Sequence, residues 1–313
     1  MKVLDRASVS DAIATLDILG ILRAAFVGLA EGTCVQPPQT AAPLPSDAGD
    51  VIYYQAAMGG PAGVMGVTVS PFLTQLLSAD LPPVTAYTLL LSAETGLPVL
   101  LCDSLPLIVA RTGATTALAI SALARPEDER LAIIGAGPIA ESHGRFAQLV
   151  RPWQSVIVHS RTIMDPSSSE RREAMAAAIA GVTFTDSLEE AVADADVIMA
   201  CTSAETPVLD PRSLRAGTLV TSVTTDGPNA HEVPPVALPA LDVYCDYRGA
   251  SPLFAGEMVL ARDEAGWTAE SVLGDLPELL SGYVSPELGT DRVKFFRSIG
   301  LGIEDIAVAS ALL

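Results

Sequence analysis

The segment Leu131–Ala140 carries residue types whose spacing suits a phosphate-bearing ligand. A short apolar run leads into Gly135-x-Gly137-x-x-Ala140, and a helix-compatible segment, Glu141–Val150, follows. Gly135 permits a tight turn, Gly137 lets the backbone approach a pyrophosphate, and the small Ala140 allows close packing of helix on strand. This order predicts a dinucleotide site, with a purely structural turn as the alternative. The predicted phosphate-binding residues are Gly135, Gly137, Pro138 and Ile139.

The end of the next predicted strand indicates which dinucleotide. Ser160, Arg161 and Thr162 stand where a carboxylate would bind the ribose 2′-hydroxyl of NAD, whereas an arginine there accommodates a 2′-phosphate. A guanidinium pairs with phosphate through its planar fork. We therefore predict NADP(H), with NAD(H) as the alternative; a solvated surface arginine would explain the same residue without a ligand. Thr202 and Ser203, after the fourth strand, either line the cofactor or are ordinary turn residues.

These residues need a sheet to position them, and residues 131–250 alternate between strand-like and helix-like segments. Such alternation predicts an α/β fold with a Rossmann-type, doubly wound parallel sheet. The predicted strands are 131–134, 155–159, 182–185, 196–201, 218–223 and 242–246. The predicted helices between them include 168–180 and 187–193.

The first 110 residues or so have a different pattern of periodicity and helix breakers. We expect a helix over 8–31 capped by Ser8 or Ser10, a proline-rich loop over 36–45, a linking helix over 105–123 and a helical, apolar C-terminus over 293–313. The expected strands are 51–58, 64–69, 86–92 and 98–101. The prediction is a smaller domain of residues 1–112 and 297–313, beside a nucleotide-binding domain of residues 113–296.

Composition limits the partners and the compartment. The 313-residue chain is half hydrophobic and has a net charge of −19, which argues against nucleic acid or an anionic membrane as a partner. The longest apolar runs, such as 88–92 and 306–313, are too short to cross a bilayer, and residues 1–5 do not resemble a signal peptide. The scattered cysteines and three histidines predict a cytoplasmic protein without a metal site.

Several segments together resemble the ornithine cyclodeaminase/μ-crystallin family. They follow the family's order and spacing over nearly the whole chain: Thr95–Pro98, Ala110–Ala114, Ile133–Gly137, Gly274–Leu276 and Ser298–Asp305. The resemblance implies a Rossmann domain, a smaller α+β substrate domain built from both chain ends, and a homodimer formed through that smaller domain. It also implies hydride transfer between a nicotinamide nucleotide and a carbon that bears an amine or imine.

The resemblance assigns roles to three residues. Arg111 matches the arginine that grips a substrate carboxylate, for which a bidentate guanidinium is suited; the alternative is an internal salt bridge near a helix end. Asp226 matches the catalytic aspartate that holds the substrate nitrogen or acts as acid or base; Asp-Gly is also a common turn pair. Thr112 matches a residue expected to contact the cofactor phosphates.

The chain also departs from the family pattern. Residues 36–40 contain no arginine, and Met65 or Gly66 stands where the family has a lysine that binds the carboxylate and donates a proton. Tyr53 or Tyr54 replaces an acidic residue. Loss of a buried cation from a carboxylate site costs roughly 2–5 kcal/mol. Tyr53, Tyr54 or His231 are the candidate replacements for the proton donor.

These departures leave three functional hypotheses. The first is an NADP(H)-dependent imine reductase or amine dehydrogenase. Its substrate would either lack the usual α-carboxylate or present it in a different position. The second keeps an amino or imino acid substrate, clamped by Arg111 alone, or cyclodeaminase chemistry, which is less expected. The third is a non-catalytic NADP-binding protein.

Overall fold

The computed structural model describes residues 1–45, 48–59, 63–73, 76, 84–224 and 229–313. By its internal contacts the chain divides into two units, Met1–Arg111 with Gly300–Leu313, and Thr112–Ile299. The division therefore falls at 111/112 and 299/300, against the predicted 112/113 and 296/297.

The secondary structure of the described residues is as follows. The strands are β1 Lys2–Leu4, β2 Cys34–Val35, β3 Thr40–Pro43, β4 Gly49–Met58, β5 Val64–Leu73, β6 Tyr87–Ser92, β7 Pro98–Asp103, β8 Arg130–Ile134, β9 Ser155–His159, β10 Val182–Thr185, β11 Val197–Ala200, β12 Leu219–Ser222, β13 Asp242–Cys245, β14 Val272–Asp275 and β15 Lys294–Arg297. The helices are α1 Arg6–Ile13, α2 Ile18–Ala30, α3 Leu105–Leu123, α4 Pro138–Val150, α5 Ser169–Ala178, α6 Leu188–Val192, α7 Ser251–Phe254, α8 Gly256–Ala265, α9 Leu276–Ser281 and α10 Gly302–Ser310.

Unit Thr112–Ile299 contains an eight-stranded parallel sheet in the order β10-β9-β8-β11-β12-β15-β13-β14. From β8 the next strands in sequence, β9 and β10, are added on one side of the sheet. The strands that follow, β11 and β12, are added on the other side of β8. Ligands bind at the carboxyl ends of the strands where the direction reverses, here between β8 and β11. The doubly wound α/β fold predicted from the sequence is confirmed.

The other unit contains a mixed, mostly antiparallel sheet in the order β1-β7-β6-β5-β4-β2, with β3 paired to β4. Side chains alternate between its two faces, as the period of a strand requires. The buried face packs against α10 and includes Tyr54, Ala56, Thr68, Thr88, Leu90 and Leu100. The opposite face is half-buried or exposed and includes Val3, Tyr53, Val67, Tyr87, Leu89 and Leu101.

The predictions for the N-terminal segment are wrong in part. The helix expected over 8–31 is two helices, α1 and α2, that meet at 90°, because Asp17 caps a new helix by accepting a hydrogen bond from the Gly20 N–H. The caps are Asp5 and Asp17, not Ser8 or Ser10. The proline-rich stretch 36–45 contains a strand, β3.

The C-terminal segment 293–313 begins with β15, not with a helix. This strand lies between β12 and β13, and all four of its residues are buried. A short apolar run cannot be assigned to helix or strand by periodicity alone, and the aromatic pair Phe295-Phe296 favours a strand. Helix α10 follows only at Gly302.

Helix α3 has the length and apolar composition to cross a membrane, whereas no membrane span was expected from the sequence. In the folded protein 67% of the most apolar stretch of this helix is buried. Burial of this extent is typical of the core helix of a globular protein, so its hydropathy is weak evidence for a membrane span.

Candidate cofactor and substrate sites

The glycine loop between β8 and α4 has the geometry of a phosphate cradle. Gly135 has φ 119°, and an added Cβ would lie 2.3 Å from the Cys201 carbonyl oxygen at the end of β11. Gly137 is the N-cap of α4, and an added Cβ there would meet no atom within 4 Å. Pro138 is the first residue of the helix. The space beside Gly137 is therefore open and no side chain caps the helix, and such a helix N-terminus fits a pyrophosphate.

A buried contact fixes α4 behind this loop. The His143 Nδ1 lies 2.8 Å from the Ile139 carbonyl oxygen, and its Nε2 lies 2.9 Å from the Thr116 hydroxyl of α3. The carbonyl can only accept, so Nδ1 donates and Nε2 accepts from Thr116. Burial lowers the pKa of His143 to about 4, so the ring is neutral. The first turn of α4 is thus tied to α3.

The predicted ribose-binding residues follow β9. Ser160 is half-buried, and Arg161 and Thr162 are exposed. Among the described residues the Arg161 guanidinium has no hydrogen bond or ion pair, in contrast to Arg172, which donates to the carbonyls of Ile163 and Asp165. A solvated, unpaired guanidinium is available to a phosphate, and it is also what a plain surface arginine looks like.

The hydroxyl of Thr202 is engaged inside the protein. Its N–H and its Oγ1 both donate to Glu232 Oε1 at 2.7 Å, and Oγ1 accepts from the Ala204 N–H. Ser203 is exposed. The structure thus gives Thr202 a structural partner, Glu232, that sequence analysis did not identify.

Two further buried charges meet near the end of β12. Arg297, fully buried, forms an ion pair with Glu257 at 2.7 Å and donates to the main-chain carbonyls of Ser222 and Thr224. Burial raises the pKa of Glu257, and Arg297 offsets part of that rise. A charged residue directly after the aromatic pair Phe295-Phe296 is the sequence signal that could have revealed this pair.

Asp226, the predicted catalytic aspartate, lies outside the described residues, between Thr224 and Asn229. Beyond that gap, His231 is half-buried, and its Nδ1 lies 2.7 Å from the Asn229 carbonyl oxygen. Asn229 has φ 60°. The role of Asp226 and that of His231 stay predictions.

Arg111 is buried in an ion-pair cluster of its own unit. Its Nε lies 2.9 Å from Asp305 Oδ1, and its Nη1 lies 3.3 Å from a Glu304 oxygen. Gly300, with φ 74°, leaves room for the guanidinium, since an added Cβ would lie 2.4 Å from Nη1. Burial lowers the pKa of Arg111, but Asp305 and Glu304 outweigh it and raise the pKa overall. This is the internal salt bridge that the sequence analysis held as the alternative; a substrate contact stays a prediction.

The two adjacent tyrosines of β4 lie on opposite faces of the sheet. Tyr54 is buried on the face that carries Thr68, and it is close enough to Arg111 to raise the pKa of that arginine. Tyr53 lies on the half-exposed face. Tyr54, rather than Tyr53, is therefore grouped with the predicted carboxylate-binding arginine.

The stretch that lacks the expected arginine contains two buried amides instead, and the Oε1 of one of them, Gln36, accepts from the Ile303 N–H at 2.8 Å. Gln39 is 8% exposed, and its Oε1 has no hydrogen-bond partner among the described residues. Thr40, the next residue, pairs with Tyr53 in the sheet.

Thr112, the residue predicted to contact the cofactor phosphates, is buried. Within the described ranges no three His, Cys, Asp or Glu side chains form a group suited to a metal ion.

The parallel sheet with its glycine loop, combined with a second unit built from both chain ends, defines a two-unit protein of the Rossmann class. The chain belongs to the Ornithine cyclodeaminase/mu-crystallin family, whose profile matches residues 1–312. The resemblance seen in the sequence is thereby confirmed.

Individual relatives cover almost the whole chain. It is 45% identical to the NAD(P)H-dependent anabolic L-arginine dehydrogenase DauB of Pseudomonas aeruginosa, over 99% of this chain and 96% of that protein. The Δ1-pyrroline-2-carboxylate reductase of Thermococcus litoralis, solved with NADH and L-proline, superposes with a TM-score of 0.90 at 24% identity, over 99% and 96% of the two chains. An archaeal alanine dehydrogenase dimer with bound NAD superposes with a TM-score of 0.88 at 23% identity, over 99% and 94%. At such identities these two structures establish the fold alone.

Proposed function

We propose that this protein is an NADP(H)-dependent oxidoreductase that reduces an imino acid to an amino acid or catalyses the reverse oxidation. The observation that carries the proposal is the cradle between β8 and α4, where Gly137 leaves open space at a helix N-terminus. The whole-chain similarity to an L-arginine dehydrogenase supports an amino acid substrate, and L-arginine and its imine are therefore the first compounds to test.

The residues fit a nicotinamide nucleotide as follows. Gly135, Gly137, Pro138 and Ile139 would hold the pyrophosphate, and Thr112, Ser203 and the main chain of Thr202 would border the cofactor. The exposed Arg161, with Ser160 and Thr162, would bind a 2′-phosphate and so favour NADP(H) over NAD(H). When bound, the nucleotide supplies or accepts the hydride at the substrate carbon.

The protein's own part in the reaction concerns charge and protons. Reduction of an imine adds a hydride to carbon and a proton to nitrogen, so a group must hold the nitrogen and deliver that proton. Asp226 would hold the nitrogen, and Tyr54 or His231 would serve as donor. Tyr54 has the better support because it lies on the Arg111 face of its sheet, whereas Tyr53 does not.

The substrate carboxylate would be bound with fewer cations than the family usually supplies. Arg111 already contacts Glu304 and Asp305. Gln39 offers a buried, uncharged amide in the stretch where the arginine is missing. A neutral amide binds a substrate carboxylate more weakly than a cation does. For this reason an imine without a carboxylate is the second candidate substrate.

Oligomeric state and location complete the proposal. The half-exposed face of the mixed sheet carries apolar side chains such as Val3, Tyr87 and Leu89, and an apolar sheet face of this kind supports a homodimer. A cytoplasmic location is supported by the four cysteines, all of which are free.

The test is consumption of NADPH, followed by absorbance, against paired panels of imines with and without a carboxylate, including the imine of L-arginine. Cofactor binding is measured separately by fluorescence. We expect turnover with the carboxylated panel. Turnover restricted to the carboxylate-free panel would replace the substrate class, and saturable NADPH binding without any turnover would make the protein a non-catalytic NADP-binding protein.

A further inference from the structure

Glu232 is a fully buried carboxylate that contacts two neighbouring strand ends of the parallel sheet. Its Oε1 accepts from the N–H and hydroxyl of Thr202, both at 2.7 Å. Its Oε2 accepts from the Ser222 hydroxyl at 2.8 Å and from the N–H groups of Val223 and Thr224 at 3.0 and 3.3 Å. Five donors thus converge on one carboxylate.

Among the described residues no arginine, lysine or histidine forms an ion pair with Glu232, and the five hydrogen bonds are the direct polar contacts of its carboxylate. Hydrogen bonds to a charged acceptor are worth about twice those between neutral groups. A buried carboxylate whose partners are mostly main-chain N–H groups fixes the path of the backbone. Glu232 therefore determines where the chain runs after β11 and after β12.

Both strand ends border the candidate cofactor site. The residue before Thr202, Cys201, presents its carbonyl to Gly135 of the glycine loop. Thr224 is the last described residue before the segment that contains Asp226. One carboxylate therefore joins the backbone beside the dinucleotide loop to the backbone that leads to the predicted catalytic aspartate.

The second strand end is also held from its carbonyl side. Arg297 donates to the carbonyls of Ser222 and Thr224 while Glu232 accepts from their donor groups. Glu257 neutralises Arg297. The backbone at 222–224 is consequently held through both its N–H groups and its carbonyls.

We propose that Glu232 is a positioning residue of the reaction, which holds the ends of β11 and β12, as far as Thr224, in the arrangement needed for binding of the nicotinamide nucleotide and for turnover. The inference rests on the proposed function. It assigns Glu232 no contact with substrate or cofactor; its effect passes through Thr202 and through residues 222–224.

The decisive variant is Glu232→Gln. The amide keeps the shape, but only one oxygen remains to accept, and the N–H groups of Val223 and Thr224 require it. The new NH₂ group then faces the Thr202 N–H, donor against donor. We expect NADPH affinity, measured by fluorescence, to weaken by roughly 10- to 100-fold and kcat to fall by a similar factor, while the far-UV circular dichroism spectrum stays unchanged.

Asp128→Asn is the matched control. Asp128 is equally buried and accepts hydrogen bonds from the Arg125 main chain and side chain, but it precedes β8, at the opposite end of the strands. We expect this variant to lower the unfolding temperature and to leave NADPH affinity and kcat within twofold of wild type. A merely structural role for Glu232 would make the two variants behave alike, which would overturn the proposal.

Thr202→Val and Ser222→Ala each remove one bond to the same carboxylate and serve if Glu232→Gln does not fold. Each should weaken NADPH binding or kcat by roughly 3- to 10-fold, and Thr202→Val should add little to Glu232→Gln because both act through one contact. Wild-type kinetics in both single variants would overturn the proposal. Absence of wild-type turnover with intact NADPH binding would reject the proposed reaction alone, since the affinity measurements still test Glu232; absence of NADPH binding would reject both.

Discussion

At the scale of single residues, the cofactor preference depends on Arg161. Its guanidinium is exposed and unpaired among the described residues, so its removal leaves the protein's own contacts intact. We expect Arg161→Asp to shift the ratio of kcat/KM for NADPH to that for NADH by at least roughly tenfold toward NADH, because the carboxylate repels a 2′-phosphate and binds a 2′-hydroxyl. Arg145→Asp, on α4, is the control for a change of surface charge. An unchanged ratio would make Arg161 an ordinary surface residue.

Arg111 illustrates the opposite case, a charge already used inside the protein. Arg111→Met would leave Glu304 and Asp305 buried without their cation, and we expect a loss of roughly 3–5 kcal/mol in the free energy of unfolding, measured in urea. Arg23→Met, at an exposed site on α2, should change stability by less than about 0.5 kcal/mol. A stable Arg111→Met protein that has lost only substrate affinity would instead favour the substrate role.

At the scale of elements, the turn between β8 and α4 separates two demands on glycine. Gly135→Ala would push a methyl group into the Cys201 carbonyl at a φ that disfavours side chains, so stability and NADPH binding should both fall. Gly137→Ala meets no protein atom, so the unfolding temperature should stay within about 2 °C while NADPH affinity falls at least roughly tenfold. Equal affinity in wild type and Gly137→Ala would argue against a pyrophosphate at this loop.

The packing of α3 on α4 predicts a pH dependence of stability. The pKa of His143 is about 4 in the folded protein, against 6.5 for a histidine exposed to solvent in the unfolded chain. Between these two pH values the unfolded chain therefore binds more protons than the folded protein. The neutral ring therefore contributes fully above pH 6.5, and about 3 kcal/mol is lost as the pH falls from 6.5 to 4. Urea unfolding across this range should show that slope, and His143→Gln should remove it. A wild-type slope in the variant would assign the effect to other groups.

At the scale of the whole molecule, the half-exposed face of the mixed sheet predicts self-association. Wild-type protein should have twice the 32.4 kDa chain mass in light scattering. Tyr87→Glu, at a 49% exposed position of this face, should yield monomers because a charge is costly to bury in an apolar interface. Leu149→Glu, at a 66% exposed position of α4, should remain dimeric. A monomeric wild type would remove the homodimer from the proposal.

The sequence determined the local features of this protein. The strand-turn-helix around the glycine loop and the alternation of strands and helices over 131–250 depend on short-range patterns, and the family membership depends on motifs spread along the chain; each is confirmed. Tertiary packing decided the features that depend on contacts between distant parts of the chain, which local patterns do not specify. The run Lys294–Arg297 became a strand because β12 and β13 offered partners on both sides. Arg111 met Asp305, and Thr202 met Glu232, through contacts between residues far apart in sequence, whose pairing depends on the three-dimensional course of the chain.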